Sequence, residues 1–228
     1  QLATTPGQLP RMLQGAIQTA LSRRGVSVIG IPGDLTGESQ VNIPSSEINY
    51  PTHPRTCPSD TELQALADLL NNNSNITLFC GIGAKEIVEL SHRLKAPVAY
   101  SFKSKMEIQY DNPNEVGMTG LLGMASGYNS MHAADVLVLL GTDFPYGPFL
   151  PTHNKIVQID IDPSHLGRRA KVQMGLCGDI KTTLEALLPL LQAKSDKSFL
   201  NDQLLGYSKV IKDLNAYVEN KGSDNKIH

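Results

Sequence analysis

Tryptophan is absent from this sequence of 228 residues, and all aromatic residues together make up only 5% of it. No sign of charge dominates either, because 20 Lys and Arg residues stand against 22 Asp and Glu residues, for a formal net charge of −2. A protein that binds nucleic acid or an anionic membrane surface through its charge needs a basic patch. The composition therefore gives no reason to expect a nucleic-acid partner.

Cysteine is also scarce. Cys57, Cys80 and Cys177 are far apart and form no CxxC pair, so neither a zinc site nor a disulfide framework is indicated. Reduced thiols are typical of cytosolic proteins, and we expect a cytoplasmic location. No apolar run approaches the roughly 20 residues of a membrane-spanning helix, and no signal peptide is visible.

The usual signatures of a catalytic centre are missing as well. The six histidines show no metal-ligand spacing. No P-loop, nucleophile elbow or pair of catalytic acids is present. The sequence therefore predicts no catalytic residue and no metal ligand within this chain.

What the sequence does contain is a series of short apolar runs. Residues 135–141 and 155–161 do not alternate polar with apolar side chains, and Gly, Pro or Asp bounds each run. Such runs are typical of parallel strands that are covered on both faces. Further strands are predicted at residues 76–80, 97–102 and 171–176, and helical patterns alternate with them at 59–71, 84–94, 121–132 and after Asp179. This alternation predicts an α/β fold with a doubly wound, mostly parallel, Rossmann-like sheet.

We expect four segments along the chain. Residues 1–34 contain a predicted helix at 6–24 and a predicted strand at 26–31, which cannot form a core alone and look like the tail of a preceding α/β domain. Residues 35–58 hold four prolines and form a linker. Residues 59–193 form the main domain, and the polar residues 194–228, with a possible helix at 197–219, form a connector. Because the chain starts without Met, we expect it to be a piece of a longer protein.

Two glycine motifs and one lysine are candidates for contacts with phosphate. Gly81 and Gly83 follow a predicted strand and open a helix, where glycine lets the backbone approach a pyrophosphate. An ordinary turn between strand and helix remains an alternative, because the third glycine of that motif is missing. Thr119 and Gly120 belong to a second glycine cluster, at 117–123, that suits a phosphate, a flavin edge or only a capped helix entry. Lys103 could neutralise a diphosphate, although isolated lysines are usually solvated.

The other candidate residues also follow predicted strands. After the strand at 135–141 come Thr142, Asp143, Phe144, Pro145 and Tyr146. The two aromatic rings could stack on a ring system or simply cover the end of the sheet. Asp160 suits a ribose hydroxyl, and Asp179 is an N-cap or borders an adenine that packs on Ile180. Because open α/β sheets bind ligands at the carboxyl ends of their strands, the sequence predicts a nucleotide-cofactor site there.

With these segments in hand, the chain resembles the central, FAD-binding domain of the thiamine-diphosphate enzymes that include pyruvate oxidase and acetohydroxyacid synthase. The quinone-dependent pyruvate dehydrogenase branch is the nearest. The resemblance is carried by RGVSVIGIPGD, YDNPNEVGMTGLLG, ADVLVLLGTDFPY, KIVQIDIDP and GDIKTTLEALLPLL. In that family the first and third domains bind thiamine diphosphate and Mg²⁺ between two subunits. The central domain binds FAD or has lost it.

The resemblance implies roles for individual residues. Residues 119–122, including Leu121 and Leu122, and residues 142–146 match segments that line the flavin. Asp160 and Ile161, with Asp179 and Ile180, match the adenosine end, and Gly81 and Gly83 match the turn near the phosphates. Lys103 begins a Lys-Ser-Lys run where Arg-Gly-Lys is usual, which weakens an arginine contact to FAD.

For the whole enzyme, the resemblance implies oxidative decarboxylation of pyruvate to acetate or acetyl phosphate and CO₂. Electrons would pass through FAD to quinone or oxygen. It also implies a homo-tetramer, with contact to quinone or to the inner membrane surface through regions outside this chain, and it implies that this chain alone is inactive. Two alternatives remain: an acetolactate synthase or decarboxylase in which FAD is structural or absent, and a nucleotide-binding module without chemistry of its own.

Overall fold

The computed structural model describes residues 1–23, 25–37, 55–82 and 87–219. It divides the chain into two compact units, Gln1–Pro54 and Arg55–His228. Most of the predicted linker at 35–58 lies outside the described residues. All the candidate site residues lie in the larger unit.

In the smaller unit, α1 spans Leu9–Arg23 and follows a 3₁₀ turn at Pro6–Gln8. A helix was predicted here, but Thr5 makes no side-chain capping bond. The strand predicted at 26–31 does not form. Three backbone hydrogen bonds join residues 1–3 to residues 28–30, but this pairing amounts to an isolated bridge between Leu2 and Gly30. A strand needs a hydrogen-bonded neighbour along its length, and Val26, which lies outside this short pairing, is 92% exposed.

The larger unit contains a six-stranded, all-parallel sheet in the order β3-β2-β1-β4-β5-β6. This is the strand order of doubly wound dinucleotide-binding folds, and it confirms the predicted fold class. The strands are β1 (Ile76–Cys80), β2 (Val98–Tyr100), β3 (Glu115–Met118), β4 (Val136–Leu140), β5 (Lys155–Asp160) and β6 (Met174–Cys177).

Helices precede, connect or follow these strands. They are α2 (Asp60–Asn71), α3 (Ile87–Leu94), α4 (Lys105–Ile108), α5 (Ala125–Ala133), α6 (Ile180–Leu187) and α7 (Ser198–Glu219). A capping box starts α2, because Ser59 and Glu62 exchange hydrogen bonds. Within the described residues, no helix has the length and apolar character that crossing a membrane requires.

The sheet is covered on both faces, which explains why its strands do not alternate polar with apolar residues. In β1, Leu78 belongs to one core and Phe79 to the other. The first core includes side chains of α2, α3 and α6. The second includes Met131 of α5, and Leu204 and Tyr207 of α7 pack against it.

The structure near β3 differs from the predicted elements in two ways. Residues 106–118, for which no strand or helix was predicted, contain part of α4 and the edge strand β3. The strand is short and carries Gly117 at a φ of +97°, so its sequence pattern is weak. The helix predicted from residue 121 begins only at Ala125, because the Gly123 amide donates to the Gly120 carbonyl and closes a turn first.

Candidate functional site

The carboxyl ends of β1 and β4 form the point where the strand order reverses. β1 has β2 on one side and β4 on the other. After β1, the next described helix is α3, whose Ile87 and Leu90 belong to the first core. The chain after β4 packs on the opposite face, where Phe144 belongs to the second core. Connections that leave neighbouring strands toward opposite faces open a crevice, which is where such sheets bind ligands.

Two glycines bring the connections after β1 and β4 into direct contact. The Gly81 amide donates to the Leu140 carbonyl at 2.8 Å, and a Cβ at Gly81 would overlap the Gly141 carbonyl oxygen. Gly141 has a φ of +60°, and its Cβ would lie 2.5 Å from the Ile82 carbonyl oxygen. Packing therefore explains glycine at position 81 without a phosphate. Gly83 lies outside the described residues.

The candidate residues after β2 and β3 lie along the same edge of the sheet. Lys103 is exposed in a 3₁₀ turn that Ser104 fixes to β1, because the Ser104 Oγ donates to the Cys80 carbonyl at 2.7 Å. The buried Thr119 Oγ1 has no hydrogen-bond partner among the described residues. Leu121 and Leu122 are 70% and 79% exposed at the tip of the turn. This turn therefore presents apolar side chains, with no protein cover within the described unit.

Residues 142–146, which follow β4, contact the turn that follows β3. The buried Phe144 packs edge-to-face on Phe79, with centroids 4.9 Å apart, and on Tyr146, with centroids 5.3 Å apart. Gly120 has a φ of +129°, and its Cβ would lie 3.5 Å from Tyr146 and 3.6 Å from Phe144. Two alternatives were left open for these aromatics, stacking on a ligand ring or covering the end of the sheet. Phe144 covers the end of the sheet. Tyr146 is only partly buried, and Pro145 is exposed.

Asp143 is engaged by two arginines that sequence reasoning did not identify. Arg168 and Arg169 each donate from Nε to Oδ1 at 3.1 Å and from a second nitrogen to Oδ2. Burial alone would raise the Asp143 pKa, but the hydrogen bonds and charges of the two arginines outweigh it and hold the pKa below its ordinary value. The only available signal was an Arg-Arg pair in the loop after the neighbouring strand.

Asp160 is the most deeply buried carboxylate among the candidate residues, at 4% exposure. Its Oδ1 accepts a hydrogen bond from the Asp162 amide at 2.9 Å and lies 3.2 Å from His165 Nδ1. Its Oδ2 makes no hydrogen bond within the described part of the chain. One oxygen therefore remains able to accept a hydroxyl hydrogen. Ile161, the next residue, is partly exposed beside it.

The start of α6 closes this side of the edge. Asp179 is the N-cap, as predicted, and its side chain accepts from the amide and the hydroxyl of Thr182, each at 3.1 Å. Ile180 is buried, and its Cγ1 lies 3.4 Å from the Cβ position of Gly141. The connections after β4 and β6 therefore meet over the end of β5.

Together, the candidate residues follow all six strands. Adjacent strands are about 4.8 Å apart, so the edge from β3 to β6 spans about 24 Å. The described residues contain no group of three or more His, Cys, Asp or Glu side chains that could hold a metal ion. The candidate residues therefore lie along one edge of the sheet, with a buried carboxylate at β5 and exposed apolar side chains after β3.

A family model described as the central domain of thiamine pyrophosphate enzymes matches residues 63–187. The chain belongs to this family. The match begins in α2 and ends with α6, so it covers the whole parallel sheet of this thiamine pyrophosphate enzyme central domain.

Relatives extend the similarity over most of the chain. An uncharacterized 42.6 kDa protein from the isoamylase 3′ region of Pseudomonas amyloderamosa is 42% identical over 92% of this chain and 54% of its own length. The pyruvate oxidase of Lactiplantibacillus plantarum is 28% identical over 82% of this chain and 32% of its own length. The acetolactate synthase of Arthrospira platensis is 27% identical over 82% of this chain and 35% of its own length. The chain thus spans about half of the first relative and about a third of the other two.

Proposed function

We propose that this chain is the FAD-binding central part of a thiamine-diphosphate-dependent enzyme of the pyruvate oxidase type. The whole enzyme would decarboxylate pyruvate oxidatively to acetate or acetyl phosphate and CO₂, with electrons leaving through FAD to quinone or oxygen. The observation that carries the proposal is the reversal of strand order at β1 and β4, which is where such sheets bind ligands, together with the buried Asp160 on the next strand, which keeps one carboxylate oxygen free. Similarity to a protein named pyruvate oxidase supports the choice of reaction.

The residues of the edge fit an extended dinucleotide, with its adenosine end at β5 and β6 and its flavin end at β3 and β4. Asp160 would accept a ribose hydroxyl hydrogen, and Ile161 would cover one side of the adenosine. Lys103 is exposed and could reach the diphosphate, whereas the Gly81 amide is already used within the sheet. Tyr146 and the residues of the turn at 119–122 would shield the flavin from water.

When bound, FAD would supply an acceptor for two electrons, and thiamine diphosphate with Mg²⁺ would supply the means to cleave the bond to the carboxylate of pyruvate. The residues of this chain would bind and orient FAD. We also propose that residues 59–193 are the FAD-binding domain, that 35–58 are a linker, and that 1–34 and 194–228 lead to domains that bind thiamine diphosphate. A cytoplasmic homo-tetramer is part of the same proposal.

The proposal is tested first by cofactor content. We expect the purified protein to contain FAD, or to bind added FAD and show flavin absorbance. Asp160→Asn should weaken FAD binding by roughly 10- to 100-fold, because a hydrogen bond to a charged group contributes about 1.5–3 kcal/mol. Asp162→Asn is the matched control, since Asp162 is a half-exposed residue that caps a turn. A wild-type protein that binds no FAD would contradict the proposal.

A second candidate function is an acetolactate synthase in which FAD has no redox role, because the identity to a protein of that name is nearly the same. Anaerobic pyruvate, added with thiamine diphosphate and Mg²⁺ to the full-length protein, separates the two. Bleaching of the flavin supports the oxidase, and acetolactate formed without bleaching supports the synthase. Binding of FAD by the full-length protein without any turnover of pyruvate would favour a nucleotide-binding module.

A further inference from the structure

Asp143, Arg168 and Arg169 form a cluster, here called the Asp143 clamp, that joins the connections after β4 and β5. Each arginine places two nitrogens on the same carboxylate, one on each oxygen. Bidentate pairs of this kind fix geometry as well as contribute energy. The carboxylate side chain is only 20% exposed, so water screens this cluster less than an ion pair on the open surface.

A second contact ties the same two connections together. Gln158 of β5 is buried, and its Nε2 donates to the Thr142 carbonyl at 3.2 Å while its Oε1 accepts from the Gly167 amide at 2.9 Å. Gly167 has a φ of +74° and directly precedes the two arginines. Residues 142 and 143 are therefore both held by the loop that follows β5.

Asp143 lies in a segment, residues 142–146, that also contains the aromatic residues Phe144 and Tyr146. Phe144 is buried against Phe79 and cannot shift without disturbing the second core. Tyr146 packs on Phe144 and lies beside Gly120. The separation between the turn after β3 and the segment after β4 thus depends on how residues 142–146 are held.

We infer that the Asp143 clamp positions residues 142–146 and thereby sets the affinity for the flavin end, but not for the adenosine end, of the FAD site proposed above. The inference rests on the proposed function. Asp143, Arg168 and Arg169 act through the segment rather than through catalysis. The hydrogen bonds of the adenosine end, from the Asp162 amide to Asp160 and from the Thr182 amide to Asp179, involve none of the three clamp residues.

The test compares two ligands that share the adenosine end. FAD contains the flavin, whereas ADP lacks it, so ADP reports on the adenosine end alone. The dissociation constant of FAD is measured by quenching of flavin fluorescence and that of ADP by competition against FAD. The purified proteins are the wild type, Asp143→Asn, the double variant Arg168→Gln with Arg169→Gln, and the triple combination.

We expect the clamp variants to raise the dissociation constant of FAD by roughly 3- to 30-fold, which is the range for residues that act without touching the ligand. The dissociation constant of ADP should stay within about twofold of the wild-type value. The triple variant should bind FAD no more weakly than the double variant, because each change removes the same clamp. The visible circular dichroism of the bound flavin should also change. Arg93→Gln is the control, since Arg93 lies in α3 and donates to the carbonyls of Leu188 and Leu191.

Distinct results overturn the inference. Equal weakening of FAD and ADP, or an equal effect of Arg93→Gln, would mean that the clamp contributes only general stability. Unchanged FAD affinity and unchanged flavin dichroism in folded clamp variants would mean that it positions nothing. A wild-type protein that binds neither ligand would instead refute the proposed function, and the inference with it. Thermal unfolding without ligand confirms that each variant is folded. If the double variant does not fold, the single variant Arg169→Gln replaces it in the binding measurements.

Discussion

Replacing Gly141 with alanine tests the close contact between the connections after β1 and β4. An L-residue with side chain pays roughly 1–2 kcal/mol in the left-handed region, and Gly141 has a φ of +60°. The new Cβ would lie 2.5 Å from the Ile82 carbonyl oxygen. This oxygen belongs to the backbone, so it cannot rotate away, and overpacking of this kind costs about 1–3 kcal/mol. The two contributions together lower the free energy of unfolding by about 2–5 kcal/mol.

Urea unfolding followed by circular dichroism measures this loss. For a chain of this size the slope is near 3 kcal/mol per molar urea, so the midpoint should fall by about 1 M. The melting temperature should fall by at least about 4 °C. Because Gly141 also borders the crevice, FAD should bind more weakly to the variant even where it remains folded.

The matched control is Gly206→Ala in α7. No atom lies within 4 Å of its added Cβ, apart from the backbone of the helix itself. Alanine in the interior of a helix stabilises by about 0.5–1 kcal/mol relative to glycine. The same chemical change should thus raise stability at one position and lower it at the other. A Gly141→Ala variant that unfolds at the wild-type urea concentration would refute the packing at the end of the sheet.

Three further predictions concern stability. Ser59→Ala removes the capping box of α2 and should cost about 1 kcal/mol in urea unfolding, and no loss would mean that the cap is not formed in solution. Tyr207→Phe removes the hydroxyl that donates to Glu115 and should cost about 1–3 kcal/mol, while Tyr217→Phe, at 77% exposure, should change stability by less than about 0.5 kcal/mol. Equal effects of the two would contradict a role for that hydrogen bond. Because the folded-state pKa of Asp143 is lowered, its contribution is complete above about pH 4 and is lost as the pH falls through the lowered pKa. Asp143→Asn should therefore flatten the acid limb of stability against pH, and an unchanged limb would argue against the ion pairs.

Much of the fold could be predicted because its determinants are local. The apolar runs at β1, β4 and β5 are continuous and bounded by turn residues, and each lies where it was predicted. The N-cap Asp179 was found for the same reason, since a cap involves residues three apart in sequence. The edge strand β3 was missed because it has four residues, one of them a glycine with positive φ.

The candidate site was predictable only up to the edge on which it lies. Parallel strands bring their carboxyl ends to one edge, so residues that follow predicted strands converge there whatever the strand order. The roles of single side chains were harder to predict from the sequence. Gly81 was left open between a phosphate contact and an ordinary turn, and the close packing against the Gly141 carbonyl accounts for glycine at this position. Phe144 was left open between a ligand and the core, and it lies in the core.

The sequence by itself determined that this chain forms a parallel α/β sheet, that the sheet is buried on both faces, and that its candidate ligand residues follow the strands. These properties depend on apolar periodicity and on turn residues, which are written locally along the chain. Only the tertiary structure decided that β1 and β4 are neighbours at the reversal of strand order, that their glycines touch, and that Asp143 meets Arg168 and Arg169. Those contacts join residues about 25 or more positions apart, and which loops meet depends on strand order and register, which no local pattern encodes.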